Sequence, residues 1–274
     1  MELAHEISGP NDAVTVVLLH GVMNSRERHE GVLVPWLADR GLKVVNTDLR
    51  GHGRSTWADS YELDDYTLDV VELIEGQSSG PVVIVGHSMG GSIAASVAAT
   101  RPNLVAAVFL EDPALFRSGP GDAGDRIAAA TATAADIREG QRIGMTEAEV
   151  VAILSEFPSS YPDRRLDQVA SPEVLGAVAR ALLAVDPAVV EAFFRSRAFD
   201  DHERLAAIRC PMTLLRSDPN LDAHFLPEDV PLLRSIVPHA QVRLATGAAH
   251  SILLQPAGPT PYLAALDEFL VSIP

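Results

Sequence analysis

The densest chemistry in the chain lies in Gly86-His87-Ser88-Met89-Gly90. A serine hydroxyl is a weak nucleophile until a neighbouring base takes its proton, and it must be presented clear of its own backbone. Glycines two residues before and two after Ser88 suit a tight strand-to-helix turn in which only small neighbours fit. The flanking text agrees. Val82–Val85 is an aliphatic run that reads as a buried strand, and Ser88–Thr100 is rich in small apolar residues, as a helix lying on a sheet should be. Gly91 and Ser92 let that helix approach closely. Its first turn then directs unpaired N–H groups toward the serine. A glycine-rich turn that merely contains a serine would match the five residues, but not the strand before them and the helix after them.

A nucleophilic serine needs a base. His250 is the candidate, because it follows the aliphatic run Val242–Ala245 through the small-residue loop Gly247-Ala248-Ala249. The other eight histidines have no such position. His20 and His87 belong to turn motifs and are expected to hydrogen-bond locally, and His52 to hold its own loop. No pair of histidines has metal-ligand spacing, so no metal is expected.

His20-Gly21-Val22-Met23, Asp48-Leu49-Arg50-Gly51-His52-Gly53-Arg54-Ser55 and Gly247-Ala248-Ala249-His250-Ser251 join the serine turn in resembling the α/β-hydrolases over nearly the whole chain. The resemblance implies an oxyanion hole made by the backbone N–H groups of Val22 and Met89. It also implies the chain order nucleophile, acid, histidine. Two places are open for the acid, which must accept the second imidazole N–H. One follows the run Ala106–Leu110 and offers Asp112 or Glu111. The other follows Met212–Leu215 and offers Asp218 or Asp222. Asp112 comes first, because it lies 24 residues after Ser88, a spacing that resembles haloalkane dehalogenases and zearalenone lactonases. The late-strand text, Arg216-Ser217-Asp218-Pro219-Asn220-Leu221-Asp222, departs from the family's glycine-then-aspartate pattern.

The elements that must position these residues can be read from the same text. Val14–Leu19, Lys43–Thr47, Val82–Val85, Ala106–Leu110, Met212–Leu215 and Val242–Ala245 are continuous aliphatic runs, as parallel strands covered on both faces require, and Glu2–Ile7 reads as an added edge strand. Helices are expected at Val32–Arg40, at Asp65–Glu75 with Leu68, Val71 and Leu73 among its apolar positions, at Ser88–Thr100, and at Tyr262–Val271 behind a Thr260-Pro261 start. The alternation predicts an α/β fold with a doubly wound, mostly parallel sheet. Between about Phe116 and Leu205 no strong strand occurs, but helix starts do: a Thr146 capping box, Ser171-Pro172 and Asp186-Pro187. We therefore expect residues 1–115 and 206–274 to form the core and 116–205 a helical cap.

Composition narrows the function further. The net charge of −16 repels phosphate backbones and anionic lipids, so neither nucleic acid nor membrane is an expected partner, and a small molecule is. Cys210, the single cysteine, has no internal disulfide partner and reads as a core thiol. The first residues have no basic region followed by an apolar stretch, and no run reaches membrane-spanning length; a cytoplasmic protein is expected. Gly51-His52-Gly53-Arg54-Ser55-Thr56 begins like a dinucleotide fingerprint but ends in threonine, and no phosphate loop of the G-x-x-x-x-G-K type occurs, so no cofactor is expected. Serine rather than aspartate at position 88 points to acyl chemistry. The expected reaction is hydrolysis of an ester or lactone of a medium-sized, mostly apolar molecule, with Phe193, Phe194 and Phe199 available to its pocket. A carbon–carbon bond hydrolase using Arg195 or Arg197, and a low-turnover ligand sensor or scaffold, are the alternatives.

Overall fold

The computed structural model describes residues 1–116, 123–195, 202–256 and 258–273. Seven strands form one sheet: β1 His5–Ser8, β2 Thr15–Leu19, β3 Lys43–Thr47, β4 Val82–His87, β5 Val105–Glu111, β6 Met212–Arg216 and β7 Gln241–Leu244. Their order across the sheet is β1-β3-β2-β4-β5-β6-β7. Only β1 runs antiparallel, pairing His5 with Thr47. The other neighbours are parallel, which fits the unbroken burial of β2, β3 and β4.

Successive side chains on a strand face opposite ways, so each strand serves two cores. Val17, Leu19, Ile84, Val108 and Leu110 pack against α3 (Leu63–Gln77) and α4 (Met89–Thr100) on one face. Val16, Leu18, Val83, Val85 and Phe109 pack on the other face, against α2 (Leu33–Ala38) and α11 (Pro259–Val271). The short α1 (Glu27–Glu30) precedes α2, and α10 (Asp229–Ile236) lies between β6 and β7. Two expectations are corrected. Leu68 on α3 is 52 % exposed, because the buried stripe of that helix runs through Leu63, Tyr66, Val70, Val71 and Ile74. The last helix begins earlier than Thr260-Pro261, because Pro259 already supplies the pre-set φ of a first helical residue and Gly258 stands before it.

Between β5 and β6 the described chain is helical: α5 Ala123–Arg142, α6 Glu147–Glu156, α7 Pro172–Ala184, α8 Pro187–Arg195 and α9 His202–Ala206. The Thr146 capping box is formed, with the Glu149 N–H donating to Thr146 Oγ1, and Ser171 caps α7. Leu154, Leu175 and Ala179 make a small core of their own where α6 meets α7. By contrast Val189 and Phe193 of α8 join the main core. Polar ties fasten this insertion to the loop after β3. Tyr61 Oη donates to Asp186 Oδ2 at 2.5 Å, the Asp186 N–H to Gly51 O at 2.8 Å, and Trp57 Nε1 to Ala184 O at 3.2 Å.

Phe109 sits at the centre of the second core, fully buried, with its ring 5.4 Å from that of Tyr262 and 5.5 Å from that of Phe269. Phe109→Ala should cost about 3–5 kcal/mol through lost burial and the cavity left between sheet and α11. Urea unfolding followed by circular dichroism measures this, and a loss below about 1 kcal/mol would contradict the packing described.

Candidate active site

The residues singled out by the sequence converge at the C-terminal ends of the parallel strands. Ser88 joins β4 to α4 with φ +52°, a left-handed conformation that costs a residue with a side chain and is held by its surroundings. Its N–H donates to Glu111 O at 2.9 Å, and its carbonyl accepts from the Ser92 N–H at 3.2 Å. The glycines act by proximity. A Cβ on Gly86 would stand 2.4 Å from Gly90 O, and one on Gly90 would stand 2.4 Å from Leu19 O. The turn can therefore close only around glycine.

His250 Nδ1 lies 2.6 Å from Asp112 Oδ2, and Asp112 is completely buried. The same carboxylate accepts backbone N–H groups from Ser217 at 3.3 Å, His224 at 2.9 Å and Phe225 at 3.2 Å. Burial alone would push its pKa up. The bond and charge of His250, with the His224 N–H, outweigh burial and hold it below the usual aspartate range. Asp112 also takes a positive φ, +40°, just beyond β5. With Nδ1 occupied by the carboxylate, Nε2 is the nitrogen of His250 left for a reacting group.

The other carboxylates have different partners. Asp218 accepts the N–H of Gly247 at 2.9 Å and that of Asn220 at 3.0 Å, tying the loop that leads to His250. Asp222 is exposed, and Ser160 Oγ reaches it at 3.4 Å. Glu111 is fully buried against Arg28, its two oxygens 3.1 and 3.3 Å from the guanidinium nitrogens. It also accepts the Leu253 N–H at 3.0 Å, three residues beyond His250.

The His20-Gly21 loop lies against the serine: a Cβ on Gly21 would be 3.2 Å from Ser88 Cβ. Among the described residues, no acceptor meets the backbone N–H of Val22 or of Met89. His20 fixes this loop from within. Its Nε2 accepts the Leu49 N–H at 3.0 Å, so its Nδ1 carries the proton and donates to Gly21 O at 2.8 Å. His52 Nδ1 lies 2.9 Å from Arg50 O, holding its own loop as expected. Ser88 Oγ is buried and has no hydrogen-bond partner among the described residues.

Two residues that sequence reading passed over also belong here. His224 lies with its ring stacked on that of His250, centroids 3.7 Å apart and planes 15° apart. Arg28, in the charged run Glu27-Arg28-His29-Glu30, is only 4 % exposed. Beside His224 opens a cavity of about 300 Å³ lined by Phe116, Phe193, Phe194, Leu221 and Leu226, with Arg126 and Asp222 as its charged members among the described residues. Ser88, 1 % exposed, does not line it, nor does His250; the cavity meets the site through His224, whose ring stacks on His250. Arg195 pairs with Glu191 at 3.0 Å and is 57 % exposed. Arg197 and Phe199 lie outside the described residues. Cys210 is half-buried, its thiol pushed up to about 11 by burial, which leaves it protonated and a poor nucleophile. Among the described residues no group of His, Cys, Asp and Glu is arranged to hold a metal, and no helix is long and apolar enough to cross a membrane.

Two stability predictions arise from this burial. Desolvation lowers the pKa of His20 to about 4 and of His52 to about 3, and holds His29 and His87 well below the ordinary value, with the Arg28 charge also opposing protonation of His20, His29 and His87. Below about pH 6.5 the unfolded chain binds protons that the folded chain refuses, so stability falls as pH drops. Calorimetric unfolding near pH 5.5, in buffers of different ionisation enthalpy, should show uptake of about three to four protons from these groups; less than one would contradict it. Glu111→Leu should cost about 3–5 kcal/mol by stranding Arg28, and adding Arg28→Met should recover much of that loss. A loss in the double variant equal to the sum of the Glu111→Leu and Arg28→Met losses would show that the pair is not an interacting unit.

Comparison with known proteins supplies the family. The model of the alpha/beta hydrolase family matches residues 16–259. The lipase LipV of Mycobacterium tuberculosis is 40% identical over 112 residues, covering 40% of this chain and 41% of that protein. The bifunctional esterase/perhydrolase DCH of Acinetobacter calcoaceticus is 38% identical over 97 residues, 35% of this chain and 34% of that one. The chain thus spans well under half the length of the curated relatives it matches. Among solved structures, a carboxylesterase of Nitrososphaera gargenis superposes with a TM-score of 0.76 at 19% identity, covering 99% of this chain and 94% of that one. The enol-lactonase of Burkholderia xenovorans LB400 gives 0.74 at 19% identity, covering 98% and 96%. At such identities these two structures speak for the fold alone. With a family model matched from the first buried strand to the last helix, the chain belongs to the alpha/beta hydrolase family.

Proposed function

We propose that the protein is a serine hydrolase that cleaves the acyl bond of an ester or lactone through an acyl-enzyme, with Ser88 as nucleophile, His250 as base and Asp112 as the acid that orients it. The observation that carries this reading is the 2.6 Å contact between His250 Nδ1 and the buried Asp112, beside a serine held at positive φ. His250 Nε2 takes the Ser88 proton as Oγ attacks the carbonyl carbon. The Val22 and Met89 N–H groups receive the developing oxyanion, each worth on the order of 3 kcal/mol in the transition state. The imidazolium returns the proton to the leaving oxygen, and water activated by the same nitrogen releases the acid. The lone Ser88 Oγ agrees with a nucleophile whose bond to the base closes when substrate is bound.

The aromatic and aliphatic lining of the adjoining cavity favours a medium-sized, mostly apolar substrate. Residues 1–115 and 206–274 act as the catalytic core, and 116–205 as a cap that shapes this cavity through Phe116, Phe193 and Phe194. Arg195, spent on Glu191, gives no support to carbon–carbon bond hydrolysis.

A fluorophosphonate probe should label Ser88, as located by peptide mass spectrometry, and Ser88→Ala should abolish labelling. On p-nitrophenyl esters Ser88→Ala should lower kcat by about 10⁶-fold and Asp112→Asn by on the order of 10³–10⁴-fold. Asp218→Asn and Asp222→Asn should stay within about ten-fold of the parent, since neither carboxylate touches His250. An unlabelled, folded protein that turns over no ester would overturn the hydrolase reading. Asp218→Asn as damaging as Asp112→Asn would overturn the choice of acid.

A further inference from the structure

The geometry points to His224 as a positioning residue for the general base: its ring clamps the plane of the His250 imidazole so that Nε2 stays aimed at Ser88. This rests on the serine-hydrolase reading and adds a residue to it.

A histidine ring tethered through Cβ and hydrogen-bonded at Nδ1 alone can still rock about its side-chain torsions, and a rock swings Nε2 through an arc. The Cβ–Cγ bond and the Asp112 contact restrain His250 at one edge of its ring, and a single hydrogen bond still lets the ring rock. The plane is set by neighbours. His224 covers one face nearly parallel at 3.7 Å. His87 lies 4.7 Å from the His250 ring at a 44° tilt, its Nε2 3.3 Å from His250 O. His224 is itself held by the carboxylate that holds His250: its N–H and that of Phe225 both donate to Asp112. One short loop thus grips the acid through its backbone and the base through its side chain.

The imidazole of His224 suits this position because it is flat and stays neutral. Burial lowers its pKa to about 4, helped by His250 and opposed by Asp112 and Asp222. A neutral ring lies against His250 without repelling the positive charge that His250 carries when it takes the serine proton. His87, on the neighbouring turn, is also held neutral by burial and by Arg28. The Asp112 anion and two uncharged imidazoles thus touch the His250 ring. His224 also lines the cavity, so the clamp forms part of the wall a substrate would meet.

The test compares His224→Phe, which keeps a flat ring, with His224→Ala and His224→Leu, which remove it. Two readouts are used: the downfield Nδ1–H proton resonance of His250 in histidine-labelled protein, assigned through His250→Gln, and the rate of Ser88 labelling by fluorophosphonate as a function of pH. His224→Phe should keep the resonance and stay within about three-fold in rate. His224→Ala and His224→Leu should broaden or lose the resonance and slow labelling about ten-fold or more, with KM for p-nitrophenyl butyrate little changed. If alanine destabilises the fold, leucine, closer in volume, carries the comparison. A resonance and rate unaffected by alanine or leucine would overturn the inference. So would a phenylalanine variant as slow as alanine, which would place the role in the ring nitrogens instead. A parent protein that never labels would count against the hydrolase reading, while the resonance would still report whether His224 holds the His250 ring.

Discussion

A carboxylate taken wholly out of water must be surrounded by donors, and Asp112 imposes that requirement on everything near it. Three backbone N–H groups and one imidazole meet it. Those donors come from the loop after β6 and the loop after β7, so satisfying one side chain at the end of β5 fixes the paths of two later segments. The stacking of His224 on His250 follows from the same demand, since the residue that gives its N–H to Asp112 has its ring carried over the neighbour. Remove the charge, and the two loops lose their common anchor.

A second buried charge works beneath the first. Arg28 and Glu111 pair out of contact with solvent, and Glu111 reaches through its side chain to the Leu253 N–H and through its carbonyl to the Ser88 N–H. Four segments are joined here: α1, the end of β5, the Ser88 turn and the segment after His250. Such a pair contributes little net stability compared with apolar residues of the same volume. Its value lies in geometry, because it allows one arrangement of the four and penalises the rest. The positive φ of Ser88 and Asp112, each just beyond the end of its strand, shows where the backbone is held in conformations it would not choose alone.

The scaffold was legible because parallel strands are written in runs of Val, Leu and Ile: Lys43–Thr47 has the bounds read from its text, and β4, β5 and β6 differ by one or two residues at their ends. Ser88 was legible because its glycines are forced by contacts under 3 Å. The partner of His250 was legible in part: spacing put Asp112 first, but Asp218, Asp222 and Glu111 also stand at or beyond strand ends, and only the three-dimensional path shows that Asp112 meets His250 while Asp218 holds the turn before it. Arg28 and His224 carried no signal. The first is spelled inside a charged helix-like run, and the second inside a loop, so that burial and stacking are properties of the assembled fold. The misplaced start of α11 has a local cause, two prolines competing for the same helical position.

The register of β5 with β6 carries a consequence for how the molecule assembles and how it can change. Val108 pairs with Met212, so two neighbouring strands are separated along the chain by the whole helical insertion. That pairing, and the meeting of Asp112 with His250, must wait for a long loop to close, which delays completion of the sheet relative to the β2-β3-β4 half. Yet the entropy of closure grows only with the logarithm of loop length, about 0.6 kcal/mol for each doubling. Once the chain has met the cost of leaving the sheet at β5 and returning at β6, residues added to or removed from the excursion change the balance little. The segment that shapes the cavity is therefore the one whose length evolution can alter most freely, while the chemistry on the strand ends stays fixed.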